Sequence, residues 1–570
     1  MHIDARLVTA QLVHCDVCII GAGPAGISLA REFIGARHEV VLLESGGFEA
    51  NAAAQALADG PTHGDVKPSI EVNRRQFGGN SNVWRIDVAA GEVGLRHAIF
   101  DEIDFQPRAW MPNSGWPIAR DQLIPYYERA QSVCGAGPFL YRPEAFESAN
   151  VKRLPLEDSD LQTGMFQFGP AAVFNAVYRD ELFAAPNVRL YTWATAIELV
   201  PRESGEAVSC LRVARPGGAP FWISARKFVL AAGGFENPRL LLMSNHQQAA
   251  GLGNRHDVVG RYYHDHLQGR SGYFVPTDAA LFEQARLYDL RRVNGVAAMG
   301  FLKLSPQAME RDRLPNINCM LYPRPAERQT RAIESFNSLR ELRRSSGARA
   351  EPVSVYPHES QRQHLLNVMR GIDYVGKMAY LARTHRQSTS YGLGHGGWSQ
   401  LNELGRRFTR FEVWHSIEQS PHRDNRVTLS PERDAYGCPK LQLDWHWPAQ
   451  DIAATLRAQR LIASELARCG LGRLRLELDP QGLPNIVRPV GSHHLMGTTR
   501  MHDDPKQGVV DAHCRVHGVA NLFVAGSSTF PAGGYANPTL TIVAMSLRIA
   551  DRLKSELAAE HQVATPTAAA

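Results

Sequence analysis

The sequence predicts an α/β chain, α+β overall, in which a Rossmann-like domain is interrupted by a second domain built on a mixed or antiparallel sheet. Three observations carry this. An apolar run at 15–20 stops at the glycine triplet Gly21-Ala-Gly23-Pro-Ala-Gly26, a stretch of helical period follows at 27–34, and a second apolar run at 40–43 ends on Glu44. Mixed strand and helix patterns without such glycine signals fill 269–488. From 489 the chain returns to strand, turn and long helix.

In order along the chain, a loop rich in Gly and Asn spans 74–85, and 120–133 has helical period. Short strands are expected at 188–191, 197–200 and 228–232, helices at 362–383 and 452–469, and a long amphipathic helix from about 539. The nucleotide domain is therefore expected in three pieces, 10–130, 188–268 and 489–558. A connecting or cap segment covers 131–187, a substrate-binding domain 269–488, and a polar, alanine-rich tail at 559–570 is expected to be disordered.

With 570 residues and 44% hydrophobic content, the chain can bury more than one core. Its 62 Lys and Arg nearly balance 57 Asp and Glu, and the net +5 forms no basic block, which argues against nucleic acid as a partner. The pair Cys15 and Cys18 lies inside an apolar run, so both sulfurs are expected in a buried strand rather than at a redox or metal turn. No basic segment followed by an apolar one opens the chain, and no run approaches membrane-spanning length, so no membrane span is expected and the default compartment is cytoplasmic.

The glycine triplet has the context that gives such a motif meaning, between a buried strand and a helix. Gly21 permits the tight turn, Gly23 admits a pyrophosphate against the backbone, and Gly26 lets the helix pack on the strand, with the positive helix end facing the phosphates. Glu44 would bind the ribose hydroxyls and repel a 2′-phosphate, which disfavours NADP. A second glycine cluster at 392–397 follows polar residues and is read as a decoy.

Toward the C-terminus stand His494-Leu-Met-Gly497-Thr498, Asn521-Leu-Phe-Val-Ala-Gly526 and Asn537-Pro538-Thr539. Earlier come Phe77-Gly78-Gly79-Asn80-Ser-Asn82-Val83-Trp84, Glu236-Asn237-Pro238-Arg239, Asp265-His266 and Asn425-Arg-Val-Thr-Leu. This ordered series resembles the glucose-methanol-choline (GMC) oxidoreductases, closest to their pyranose oxidase side, across nearly the whole chain. The resemblance implies an FAD-binding domain of glucose-oxidase type and oxidation of an alcohol to a carbonyl, with oxygen or another electron acceptor. By position it implies His494 as the catalytic histidine and Asn537 as its partner. Gly78, Gly79, Asn80, Asn82, Val83, Ala196, Gly526, Asn537, Pro538 and Thr539 then join Gly21, Gly23, Gly26 and Glu44 around the cofactor.

The residue chemistry agrees. A histidine near neutrality suits removal of a hydroxyl proton. Asn537 before Pro538 is a natural N-cap, aiming the last helix's positive end at the flavin. Covalently flavinylated pyranose oxidases carry a histidine where this chain has Val83, so noncovalent FAD is expected. Arg85, two residues on, is a candidate for an anionic substrate or reduced flavin. Glu418 and Gln419 are candidates to meet a sugar, glycoside or polyol-like substrate, and His493 competes with His494 as the base. No third ligand stands at metal spacing near His493 and His494, so no metal is expected.

Three other functions remain open at this point. A flavin lyase of the same family would not reduce its FAD, a binding or electron-transfer module would be indifferent to loss of His494, and an NAD-dependent dehydrogenase would be colourless. The identity of the alcohol, the acceptor and the oligomeric state are not legible in the sequence.

Overall fold

A computed structural model describes residues 1–65, 73–84, 86–89, 92–156, 159–344, 359–384, 396–484 and 494–564. The strand Leu12–Ile20 is flanked by Val40–Leu43 on one side and Gly218–Leu230 on the other, all parallel. Val17, Cys18 and Ile19 are buried on both faces, the environment that continuous apolar runs serve in a parallel sheet. His2–Asp4 and Val188–Thr192 extend one edge, Val208–Arg215 and Thr195–Pro201 the other, and Leu522–Val524 pairs in parallel with Gly218–Leu230.

Gly21 turns the chain at φ +109° into the helix Pro24–Arg31. A Cβ on Gly26 would lie 1.9 Å from the Gly21 carbonyl oxygen, so only glycine lets this helix approach the strand it leaves. The final helix, Thr539–Ala564, packs against Pro24–Arg31 and Ile124–Val133, and closes the core on this face.

The second sheet, among the described residues, runs Gly472–Leu476, Leu267–Pro276, Arg410–Ile417, Asn318–Arg324, Val296–Leu304, Leu161–Pro170, Glu92–His97, Ile86–Ala89, with Arg291–Val293 pairing Val296–Leu304. Its neighbours on this path are antiparallel. One face packs with the helix Ala449–Arg468 around a second core containing Phe411, Val413 and Leu321. The other face contributes Met320, Tyr322 and Phe166 to the first core, which brings it over the nucleotide domain.

Several expectations change. The second sheet is not confined to 269–488. Leu161–Pro170 and Glu92–His97 join it because their pairing partners, such as Ala297 opposite Phe168, are distant in sequence. The helix expected at 362–383 breaks into Gln361–Arg370 and Ile372–Thr384 at Gly371, which packs tightly on Ala332. The 120–133 helix opens with a separate 3₁₀ turn, Arg120–Gln122. The last helix continues through the expected tail to Ala564, and 565–570 lie outside the described residues. Among the described residues no helix is long and apolar enough to cross a membrane.

Candidate active site

A cleft runs along the C-terminal edge of the first sheet, the place where open α/β sheets bind their ligands. One end is lined by Glu44 and Ala194-Thr195-Ala196, the middle by Gly21, Gly23 and Gly79, and the far end by Trp84, Leu495, Gly526, Pro538 and Ile542. Gly23 is the informative glycine here. A Cβ there would meet no protein atom nearer than Gly79 Cα at 3.9 Å, so the opening in front of it is left for something other than protein. Glu44 accepts backbone N–H groups from Gly46 (2.8 Å) and Ala22 (3.3 Å) and keeps lone pairs for a ligand. Burial pushes its carboxyl upward against those bonds. The cleft, its acidic end and the uncovered Gly23 backbone beside a helix N-terminus fit an FAD.

Beyond the far end of the cleft, Asp265 Oδ1 accepts the backbone N–H groups of both His266 (2.7 Å) and His494 (3.0 Å), which sets the two histidines side by side. Their rings meet edge to face, with His494 Nδ1 2.7 Å from His266 Nδ1. His266 Nε2 lies 3.1 Å from the Gly533 carbonyl oxygen. On the other side, Asn537 Nδ2 is 3.0 Å from His494 Nε2, and Arg96 Nε donates to Asn537 Oδ1 at 2.7 Å.

The ends of this chain of contacts fix every proton in it. Arg96 only donates, so Asn537 must present its oxygen to Arg96 and its N–H to His494. A carbonyl only accepts, so His266 carries its proton on Nε2. Burial lowers the His266 pKa to about 4 and keeps the ring neutral, leaving Nδ1 as an acceptor. His494 therefore donates from Nδ1 and holds an unprotonated Nε2.

The loop carrying Gly533 is anchored from below. Arg108 makes a bidentate pair with Glu418 (2.6 and 2.7 Å), and Glu418 also accepts the backbone N–H groups of Asn316 (3.1 Å) and Gly534 (3.2 Å). Burial works to raise the Glu418 pKa, but Arg108 and these bonds hold it below the ordinary value.

The structure thus brings His494 and Asn537 together beside a cleft lined by Gly21, Gly23, Glu44, Gly79, Asn80, Ala196, Gly526 and Pro538. Gly26 lies behind it, in the helix contact. Gly78 and Asn82 shape the loop instead: Gly78 adopts φ +89°, and the Asn82 amide donates to the carbonyls of Phe77 and Gly79. Val83 and Thr539 stand beside the lining rather than in it.

Three expectations are corrected. Glu418 is spent on Arg108 and two backbone groups, so it does not face a substrate. Gln419 is spent likewise, accepting from Asp265 N and Trp445 Nε1 and donating to the His446 carbonyl. Asn537 does not cap the last helix, because its amide is taken by Arg96 and His494. The first helical bond, Ile542 N–H to Pro538 O, leaves it one residue outside. Arg85 and His493, and most of the 392–397 cluster, lie outside the described residues.

Sequence reasoning missed Arg96 as a member of the site and gave His266 no role beyond its place in the motif series. The only local signal was Asp265 between His264 and His266, a carboxylate placed to order neighbouring backbone.

Comparison with known proteins converges on one family. Residues 16–343 match the family model described as FAD dependent oxidoreductase, and residues 421–546 the one described as GMC oxidoreductase. The chain is 24% identical to 2-methyl-1,2-propanediol dehydrogenase of Mycolicibacterium austroafricanum, covering 95% of this chain and 96% of that one. It is 25% identical to 6'''-hydroxyparomomycin C oxidase of Streptomyces lividus, covering 96% and 92%. The crystal structure of pyridoxine 4-oxidase from Mesorbium loti superposes with a TM-score of 0.52 at 18% identity, over 95% of this chain and 99% of that one.

Proposed function

Because the chain belongs to the FAD-dependent oxidoreductases, and within them to the GMC oxidoreductases, we propose that it oxidises a hydroxyl of a sugar, glycoside or polyol-like small molecule to a carbonyl, with His494 as the base. Relatives named for oxidising a diol and an aminoglycoside support that substrate class. When bound, FAD supplies the hydride acceptor.

The observation that carries the reading is the fixed tautomer of His494. Its lone pair is on Nε2, on the side of Asn537, and the proton on Nδ1 is committed to His266. The single lone pair of Nε2 accepts the Asn537 N–H, so the substrate hydroxyl takes that place before it gives up its proton, while the Nδ1 bond to His266 stays in place. The displaced Asn537 N–H is then available to the substrate oxygen. Gly79, Gly23 and the start of Pro24–Arg31 would hold the pyrophosphate, Glu44 the ribose, and the N-terminal end of Thr539–Ala564 would face the ring system.

The cofactor is held without a covalent bond on this reading, since the side chain of Val83 offers no nucleophile. Acid precipitation should release all of the flavin, and colour retained in the pellet contradicts it. The eight cysteines are free thiols, which supports a reducing, cytoplasmic compartment.

The test is anaerobic addition of sugars, glycosides and polyols to the purified yellow protein. A substrate bleaches the flavin band in the wild type, and His494→Ala must keep its FAD yet lose bleaching. Bleaching that survives in His494→Ala rejects the base assignment.

A further inference from the structure

Arg96 reaches the reactive pair from the second sheet, and its charge is unmatched. It is 5% exposed, and among the described residues no carboxylate pairs with it. Of the comparably buried arginines, Arg108, Arg239 and Arg324 each have one, in Glu418, Asp434 and Glu412, whereas Arg500 lies on the Tyr262 ring and donates to the Asn113 carbonyl. Leaving a guanidinium buried without a counter-charge is unfavourable, and such groups are normally paired.

Its remaining contacts are weak. Arg96 Nη1 points at Met320 Sδ at 3.2 Å, and Tyr322 OH points at the same sulfur at 3.4 Å. A thioether is a poor acceptor, so two strong donors, one of them cationic, converge where nothing of matching strength receives them. The Phe166 ring lies 4.6 Å from the guanidinium and is itself stacked on Phe301 at 4.1 Å, which gives the spot an apolar wall without neutralising it. Burial lowers the Arg96 pKa to about 10, with only the Tyr322 hydroxyl acting in the opposite direction.

We propose that Arg96 and Tyr322 form an oxyanion subsite, and that the hydroxyl substrate carries a carboxylate, as in a sugar acid or another hydroxy acid. The inference rests on the alcohol-oxidation reading above and narrows its substrate class. Only the planar amide of Asn537 separates the guanidinium from His494 Nε2. The acidic group and the reacting hydroxyl are therefore a few bonds apart on one small molecule. Arg96 binds the carboxylate as a charge-assisted donor, Tyr322 adds a second hydrogen bond, and the same Arg96 holds Asn537 toward the base.

The test uses the oxidised holoenzyme, titrated with gluconate and with the neutral polyol glucitol while perturbation of the visible flavin spectrum is followed. Anaerobic flavin reduction by the same pair gives a second readout. Wild type should bind the acid about thirtyfold more tightly than the polyol, the scale of one charge-assisted hydrogen bond. Arg96→Gln should erase that difference, Arg96→Lys should keep part of it, and Tyr322→Phe should weaken acid binding severalfold.

Equal binding of acid and polyol by wild type overturns the proposal. So does acid binding unchanged in Arg96→Gln, above all if that variant shifts only the flavin midpoint potential, which would assign Arg96 to the cofactor. If Arg96→Gln fails to hold FAD, the wild-type pair and Tyr322→Phe decide. Carboxylate binding that depends on Tyr322 or Arg96 in a protein whose flavin no hydroxyl compound reduces keeps the subsite and rejects alcohol oxidation. Rapid reduction by neutral polyols with no preference for acids does the reverse.

Discussion

Replacing His266 by leucine removes the acceptor of the His494 Nδ1 proton and, at the other end of the chain of contacts, the donor to the Gly533 carbonyl, while leaving Asn537 and Arg96 in place. The bond lost is 2.7 Å long between rings exposed by 0% and 4%, so no water replaces it. A buried donor left without a partner costs about 1–3 kcal/mol, which at 1.4 kcal/mol per tenfold is roughly 5- to 150-fold. The loss falls on the step in which His494 gains a proton, because the Nδ1 bond is strongest when the ring is cationic. His266→Leu should therefore slow anaerobic flavin reduction within that range, with little change in KM and no loss of bound FAD. His266→Gln, which keeps an acceptor, should recover most of the rate. Stopped-flow absorbance at the flavin band measures both. A fully flavinylated His266→Leu protein that reduces at the wild-type rate would refute the tautomer argument, and so would a glutamine variant as slow as leucine.

The two glycines of the fingerprint should behave oppositely. Gly26→Ala drives a Cβ to 1.9 Å from the Gly21 oxygen and should abolish folding, whereas Gly23→Ala meets protein only at 3.9 Å and should fold but release FAD. Thermal unfolding and flavin content separate the cases, and a stable Gly26→Ala protein contradicts the packing. Acid should destabilise the fold through its buried neutral histidines. Burial lowers the pKa of His97, His264, His266 and His415 from 6.5 to about 4. Between those values the unfolded chain binds protons the folded one refuses, so each group's contribution falls as pH drops from 6.5 to 4, by roughly a few kcal/mol. The ring nitrogens of His97 have no hydrogen-bond partner among the described residues, and His97→Phe should make urea stability less dependent on pH across that window. An unchanged slope removes His97 from the effect.

What the sequence made legible was local. The strand, glycine turn and helix at 15–34 are dictated by sterics within a few residues, and the long apolar stripe after 539 can only be a packed helix. The polar support of the site was not legible, because its partners meet across the chain. Arg96 and Asn537 are separated by 441 positions, His266 and His494 by 228, and Arg108 and Glu418 by 310. Glu418 and Gln419 were candidates for substrate contact as polar residues of the inserted domain. Only the fold shows that Arg108 and Trp445 consume them. The strands Glu92–His97 and Leu161–Pro170 were hidden for the same reason, since membership of a sheet is decided by a partner's position.

The strand Leu522–Val524 lies beside Gly218–Leu230, about three hundred positions earlier in the chain, and the cleft closes only with Gly526, Pro538 and Ile542. During synthesis, the segment that recognises phosphate at 21–26 emerges well ahead of its far wall, which exists only once 526–542 has been made. Closing so long a loop is slow and entropically unfavourable, though only logarithmically in its length. FAD capture therefore awaits the segment at 526–542, and a fragment that stops short of it will present the fingerprint without retaining the flavin.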